Sequence, residues 1–67
     1  MTINDLDIWR SANDLIKQHG EDAAIHAAMK ADELLAKGDV DGAAVWKRIV
    51  RAIKQLRKTA TSNEAAH

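Results

Sequence analysis

The sequence predicts an all-α protein, an antiparallel three-helix bundle with short loops and a frayed C-terminal tail. Hydrophobic residues make up 46% of the chain and many of them are alanine, so the composition favours helices over strands. Apolar residues recur at the helical period in three segments. Breaks of only a few residues separate these segments, so consecutive helices are expected to fold back on one another.

The length of 67 residues limits the chain to one domain with a modest core. A chain of this size buries about 60% of the surface that its unfolded form exposes, which leaves little room for a walled catalytic cleft. The absence of cysteine excludes a disulfide scaffold, a thiolate zinc site and a thiol nucleophile. No apolar run approaches the roughly 18 residues that a membrane span needs. We therefore expect a soluble, cytoplasmic protein that does not associate with membranes.

The first helix is predicted to begin after Asn4, because asparagine side chains cap helix N-termini well. With Asn4 as the cap, Ile3 and Ile8 occupy the two positions of a hydrophobic staple. Thr2 is the competing cap. The helix is predicted to end at Gly20, since glycine readily adopts the left-handed conformation that stops a helix.

The second helix is predicted from about residue 21 to residue 37. Glu21 and Asp22 place negative charge where this helix opens, and Gly38 follows its last residue.

The third helix is predicted to start at a cap formed by Asp41, because Val40 and Val45 then occupy the staple positions. It is predicted to run to about Lys58. Residues 59–67 contain no large apolar side chain and are expected to form a flexible tail, so residues 1–58 make up the predicted three-helix domain.

Each helix has one apolar face that is expected to enter the core. We expect the two tryptophans to supply much of the buried area, and the alanine-rich second helix to let the other two approach closely. The predicted core residues are Ile8, Trp9, Ala12, Leu15 and Ile16 on the first helix, Ala24, Ile25, Ala28, Met29, Ala31 and Leu35 on the second, and Val45, Trp46, Ile49, Val50, Ala52, Ile53 and Leu56 on the third.

Charge is segregated along the chain although the net charge is zero. Residues 1–41 hold nine acidic and four basic side chains, a balance of minus five, and residues 42–67 have the opposite balance. The third helix carries most of this positive charge. Its side chains at spacings of four, three and four residues share one face, opposite the apolar residues. We call this row the basic stripe; its members are Lys47, Arg51, Lys54 and Lys58.

Three interpretations of the basic stripe stay open at this point. It is a solvated outer face that keeps the protein soluble, a docking surface for an acidic protein, or a nucleic-acid contact. The candidate interaction surface consists of the stripe together with Arg48. Against nucleic-acid recognition, the stripe has no interleaved aromatic residue and the chain is neutral overall.

Asp32 is predicted to be a buried polar residue, because it falls on the apolar side of the second helix near Ile25. A bare carboxylate there would be costly. We expect a partner on a neighbouring helix, with Arg48, Arg57 or a tryptophan indole N–H as candidates. The alternative is that this side faces a binding partner or a second copy of the chain.

The remaining polar residues do not indicate catalysis. Asp22 and His26 lie one helical turn apart and supply half of a metal site at most, since catalytic zinc sites need three protein ligands. His19 lies at a helix C-terminus, where its cationic form would interact with free carbonyl groups. The sequence therefore predicts no enzyme activity, no catalytic or metal site and no cofactor.

Five short runs stand out along the chain. They are Asp7-Ile8-Trp9-Arg10-Ser11-Ala12, His19-Gly20, Ala31-Asp32-Glu33, Gly38-Asp39-Val40-Asp41-Gly42 and Val45-Trp46-Lys47-Arg48-Ile49. With these runs the chain resembles small, functionally uncharacterised bacterial all-helical proteins. The resemblance covers residues 7–56 and includes both tryptophans, and it implies no activity or ligand.

The function expected from the sequence is that of a non-enzymatic interaction module. It would bind another protein, or a second copy of itself, through exposed apolar residues and segregated charge. If it binds a second copy, the third helix of one copy would face the first two helices of the other in the resulting dimer. A small nucleic-acid-associated protein that uses the basic stripe is the alternative.

Overall fold

The chain is all helical, as predicted. The structure is a computed structural model that describes the backbone of residues 4–65 and the side chains of residues 4–58. Helix α1 spans Asp5–His19, a 3₁₀ turn spans Gly20–Asp22, α2 spans Ala23–Ala36 and α3 spans Val40–Ala65. No strand occurs between residues 4 and 65.

Asn4 caps α1, as the sequence predicts. Its Oδ1 accepts a hydrogen bond from the backbone N–H of Asp7 at 3.0 Å. Thr2 and Ile3, the competing cap and one member of the staple, lie outside the described residues. At the other end of α1, Gly20 has a φ of +57°, so the predicted positive-φ stop is confirmed.

The connection between α1 and α2 is a bend that contains no loop. The predicted start of the second helix at residue 21 is wrong, because Gly20–Asp22 form a 3₁₀ turn and α2 begins at Ala23. No loop residue therefore separates α1 from α2, and the positive φ of Gly20 marks the point where the chain bends. The structure is not a clear bundle of three separate helices, since a tightened turn at a glycine redirects the first helix without a loop.

The cap of α3 is Asp39 rather than the predicted Asp41. Asp39 Oδ1 accepts a hydrogen bond from the backbone N–H of Gly42 at 2.9 Å, and α3 begins at Val40. A Cβ atom at position 42 would collide with the Asp39 carboxylate, so glycine leaves the space that this cap needs. Asp41 instead places negative charge in the first turn, where it complements the helix dipole.

Substitutions at the two aspartates distinguish these roles. We expect Asp39→Ala to lower the free energy of unfolding by about 1 kcal/mol, because it removes the cap, and Asp39→Asn to retain most of the stability. Asp41→Ala should cost only about 0.3 kcal/mol through the helix dipole. Urea unfolding monitored by circular dichroism measures all three, and a larger loss at Asp41 than at Asp39 would contradict the assignment.

Helix α3 is longer than predicted. Its backbone stays helical to Ala65, seven residues beyond the predicted end at Lys58. No glycine or proline occurs in residues 59–65, so the sequence there contains no helix breaker. The flexibility expected of residues 59–67 stays a prediction.

Helix α3 is the element against which the others pack: α1 and α2 each contact it more extensively than they contact one another. Arg57 Nη1 donates a hydrogen bond of 2.8 Å to the carbonyl oxygen of Glu21, which ties α3 to the bend. The loop at residues 37–39 joins the opposite end of α2 to the start of α3. Helices α2 and α3 are therefore antiparallel.

Small side chains make up most of the core. Ile53 is the one large side chain that is completely enclosed, at 0% exposure, among the described side chains. Six alanines and three isoleucines are buried there: Ile8, Ala12, Ala23, Ala27, Ala31, Ala43, Ile49, Ala52 and Ile53.

The tryptophans contribute less burial than predicted. Trp9 is 40% exposed and Trp46 is half-buried at the edge of the core. The prediction that they supply much of the buried area is wrong for Trp9. A row of alanines lets α2 approach the other helices closely, so two isoleucines of α3 fill the core without a large aromatic ring.

The buried face of α2 also differs from the prediction. It is formed by Ala23, Ala27 and Ala31, spaced four residues apart. The predicted core residues Ile25, Met29 and Leu35 are exposed instead, and Ala24 and Ala28 are half-buried. On α3 the prediction is closer, because Ile49, Ala52 and Ile53 are buried and the other predicted residues pack against them.

None of the helices described here is long and apolar enough to cross a membrane.

Candidate interaction surface

The basic stripe lies on the outer side of α3. Its four members are all exposed, and none of them forms an ion pair with another described side chain. Two grooves run along the two sides of α3, and Arg51 lines both of them, so it lies between them. The carboxylates among residues 4–58 therefore leave the stripe accessible, which agrees with the expected exposure. Its use in binding stays a prediction.

Arg48 differs from the stripe because it has a partner. Its Nη2 donates a hydrogen bond of 2.6 Å to Asp5 Oδ1, and this ion pair joins α3 to the first turn of α1. Both side chains are well exposed, so the pair contributes at most about 1 kcal/mol. The candidate surface thus divides into four unpaired cations and one that links two helices.

The groove between α2 and α3 combines positive charge with an apolar floor. We call it the α2/α3 groove, and its volume is about 290 Å³. Its floor is made of small or branched apolar side chains, and three members of the stripe line its α3 side. The lining residues are Ala28, Ala31, Asp32, Lys47, Val50, Arg51 and Lys54.

Asp32 is exposed in this groove, so its predicted burial is wrong. The side of α2 that was expected to enter the core faces solvent, and no polar or charged side chain among residues 4–58 is buried. The structure records no hydrogen bond or ion pair for Asp32 within the described residues. Two of its expected partners have other contacts: Arg48 binds Asp5, and Arg57 binds the Glu21 carbonyl.

Neutral replacements of Asp32 are expected to leave stability intact. An exposed carboxylate without a close partner contributes little, so Asp32→Asn and Asp32→Leu should each change the free energy of unfolding by no more than about 0.5 kcal/mol. Thermal and urea unfolding of both variants measure this. A loss well above 1 kcal/mol in both would show that an intramolecular partner holds the carboxylate.

Large apolar side chains lie beside the α2/α3 groove. Ile25 is 59% exposed and Met29 is 62% exposed. They precede Asp32 by seven and three residues, so all three share one face of α2. This face was predicted to be core, and the hydrophobicity that suggested burial is instead available to a partner.

A second groove lies between α1 and α3, with a volume of about 380 Å³. We call it the α1/α3 groove. It contains the exposed ring of Trp9 together with Arg48 and Arg51. The Asp5–Arg48 ion pair closes part of its rim. The sequence showed no aromatic residue within the stripe, and packing of α1 brings this one close to it.

Two histidines meet at the bend, which the sequence did not predict. The rings of His19 and His26 stack with centroids 3.8 Å apart and an interplanar angle of 21°. The stacked rings bring the end of α1 into contact with the first turn of α2. Among the described residues, no group of three or more histidine, cysteine, aspartate or glutamate side chains is placed to hold a metal ion.

Comparison with protein families adds one finding. Residues 4–61 match the model of DUF6961, described as a family of unknown function. The chain belongs to DUF6961. The resemblance to small all-helical proteins without an assigned function is thereby confirmed. No curated protein and no solved structure matches this DUF6961 chain.

The DUF6961 match covers α1, α2 and all but the last four residues of α3, and it includes the complete basic stripe. It assigns no ligand or reaction to the DUF6961 chain.

Proposed function

We propose that this protein is a small, non-enzymatic interaction module that binds a protein partner through the basic stripe and the exposed apolar residues beside it. The observation that carries the proposal is the unpaired state of the stripe. The chain has ten acidic side chains, yet none of those described forms an ion pair with the four cations of the stripe.

An uncompensated row of cations has a cost in the isolated protein. Like charges three or four residues apart repel by a few tenths of a kcal/mol per pair, and the stripe contains three such pairs. An acidic surface on a partner would relieve this repulsion. It would also accelerate encounter and fix the orientation of the complex.

Exposed apolar residues next to the charge support the same proposal. Ile25 and Met29 are more than half exposed, and they lie on the same face of α2 as Asp32, which lines the α2/α3 groove. Contiguous apolar surface with a polar rim is typical of protein interaction sites. A cation row alone would fit a purely solvated face, whereas the combination favours a docking surface.

In this proposal the helices act as an antiparallel three-helix bundle that presents α3, and the module works in the bacterial cytoplasm. The contacts of both α1 and α2 with α3 support such a scaffold role.

Charge reversal tests the proposal. We expect immobilised wild-type protein to capture a partner from native lysate, and the triple variant Lys47→Glu, Arg51→Glu, Lys54→Glu to lose it. The matched control reverses three exposed cations on α1 and α2: Arg10→Glu, Lys17→Glu and Lys30→Glu. Equal capture by all three proteins, or equal loss in both variants, would contradict a role for the stripe.

Nucleic-acid binding is the second candidate, and Trp9 is the observation that favours it. Its partly exposed ring lies in the α1/α3 groove with two arginines, which is a combination that stacks bases and contacts phosphates. The acidic balance of residues 1–41 opposes it. A salt titration with mixed DNA and RNA decides: absence of binding at low salt, or binding that does not weaken as salt rises, eliminates this candidate.

A further inference from the structure

We infer that the α2/α3 groove is the docking site for an amphipathic helix of a partner protein, one that carries acidic side chains along an edge of its apolar stripe. The inference rests on the proposed function and deepens it by specifying the partner's chemistry and the place where it binds.

The cations that line the groove are spaced to match acidic residues on one face of a partner helix. Lys47, Arg51 and Lys54 follow one another at intervals of four and three residues and line the groove together. The row from Lys47 to Lys54 rises about 10 Å along α3, which is two helical turns. Acidic residues at the same intervals on a second helix would reach all three cations.

The floor of the groove suits the apolar side of that helix. Ala28 and Ala31 are small enough to let the partner's helix approach α2, and Val50 provides a branched surface on α3. Ile25 and Met29 extend the apolar area along the outer side of α2. Helices that lie in apolar grooves are recognised through residues spaced three and four apart, which matches this surface.

Asp32 makes the groove selective. It is the one acid among the side chains that line the α2/α3 groove. A polyanion such as a nucleic-acid backbone would be repelled there, whereas a helix with a basic or polar residue at this point would be accepted in one orientation. The groove therefore favours a protein helix over a phosphate chain.

A second copy of this chain fits the stripe less well. On α1, Asp5 and Trp9 face the groove shared with α3. Asp7 and Asp14 lie on a different side of that helix, at seven-residue spacing. These acids border a polar face and lack the apolar stripe that the α2/α3 groove would receive, because they share that side of the helix with Arg10, Ser11 and Gln18.

The test uses a synthetic amphipathic helical peptide as the probe. Its aspartates and glutamates lie on one edge of an apolar stripe, and a scrambled peptide of the same composition lacks that arrangement. We expect the full-length protein to bind the amphipathic peptide at least about tenfold more tightly than the scrambled one, measured by fluorescence anisotropy. Methyl NMR signals of Met29 and Val50 should shift on binding.

Matched variants locate the site. Ile25→Ser with Met29→Ser is expected to weaken binding of the amphipathic peptide about tenfold, because it removes exposed apolar contacts. Leu6→Ser changes an exposed apolar residue on α1, away from the groove, and should leave affinity unchanged. All three positions are exposed in the free protein, and circular dichroism checks that both variants keep their helicity.

Several results would overturn the inference: equal affinity for the two peptides, no binding of either, equal weakening by the double variant and by Leu6→Ser, or tighter binding of double-stranded DNA than of the amphipathic peptide. Light scattering that shows concentration-dependent growth of the free protein would assign the groove to a second copy. If stripe-dependent capture from lysate persists while the peptide fails to bind, only the helix-docking inference falls. Loss of both defeats the proposed function as well.

Discussion

Replacing Ile53 with alanine is expected to lower the free energy of unfolding by about 2–5 kcal/mol, the cost of deleting a large buried aliphatic side chain. Ile53 is 0% exposed and contacts a core made mainly of alanines, so little neighbouring volume is available to fill the cavity. Domains of this length have a total stability of about 3–10 kcal/mol, so the variant should lose a large share of its stability. Urea unfolding followed by circular dichroism measures the change.

Ile25→Ala is the matched control, because it makes the same chemical change on an exposed part of α2. We expect this variant to stay within about 0.5 kcal/mol of wild type. Similar losses at the two isoleucines would contradict the placement of the core.

Replacing Ala27 with leucine is expected to cost about 1–3 kcal/mol, because extra methylene groups in a packed site force neighbouring elements apart. Ala27 is completely buried, and it stands between Ala23 and Ala31 on the face that α2 presents to the core. Thermal unfolding should show a lower midpoint temperature, since α2 can approach the core closely only where its side chains are as small as alanine.

Ala36→Leu provides the control on the exposed end of the same helix. It should change stability by less than about 0.5 kcal/mol. If Ala27→Leu were as stable as this control, the alanine row would not be the surface along which α2 packs.

The sequence predicted the buried face of a helix correctly where large apolar residues occur on one side and charged residues on the other. On α3, isoleucines and valines recur at the helical period against a charged opposite face, so the buried side was predicted correctly. On α2, alanines occur on nearly every side, and periodicity could not choose among them. Ile25 and Met29 then indicated the wrong face, because hydrophobicity marks a surface that needs covering without saying what covers it.

The N-terminus of α3 shows a similar limit. Asp39 and Asp41 are both good caps by residue type, and the staple pattern of the valines favoured Asp41. The outcome depends on the space beside Gly42, which only the folded backbone reveals.

The candidate surface was predicted in part. The exposure of the basic stripe follows from its position opposite the apolar face of a single helix. The two grooves, the Asp5–Arg48 pair, the Arg57 bond to the bend and the stacked histidines join residues that are distant along the chain or lie across the bend. No local pattern encodes such contacts.

The most direct test of the account is the stability of a protein whose stripe has been neutralised by Lys47→Gln, Arg51→Gln and Lys54→Gln. Glutamine has nearly the helix propensity of lysine and arginine, so the substitutions remove charge and little else. Because these cations repel one another and have no ion pair among the side chains of residues 4–58, urea unfolding should give a free energy that is unchanged or higher by up to about 1 kcal/mol. A loss of about 1 kcal/mol or more would show that the chain's own carboxylates hold the stripe, and it would contradict a surface kept free for a partner.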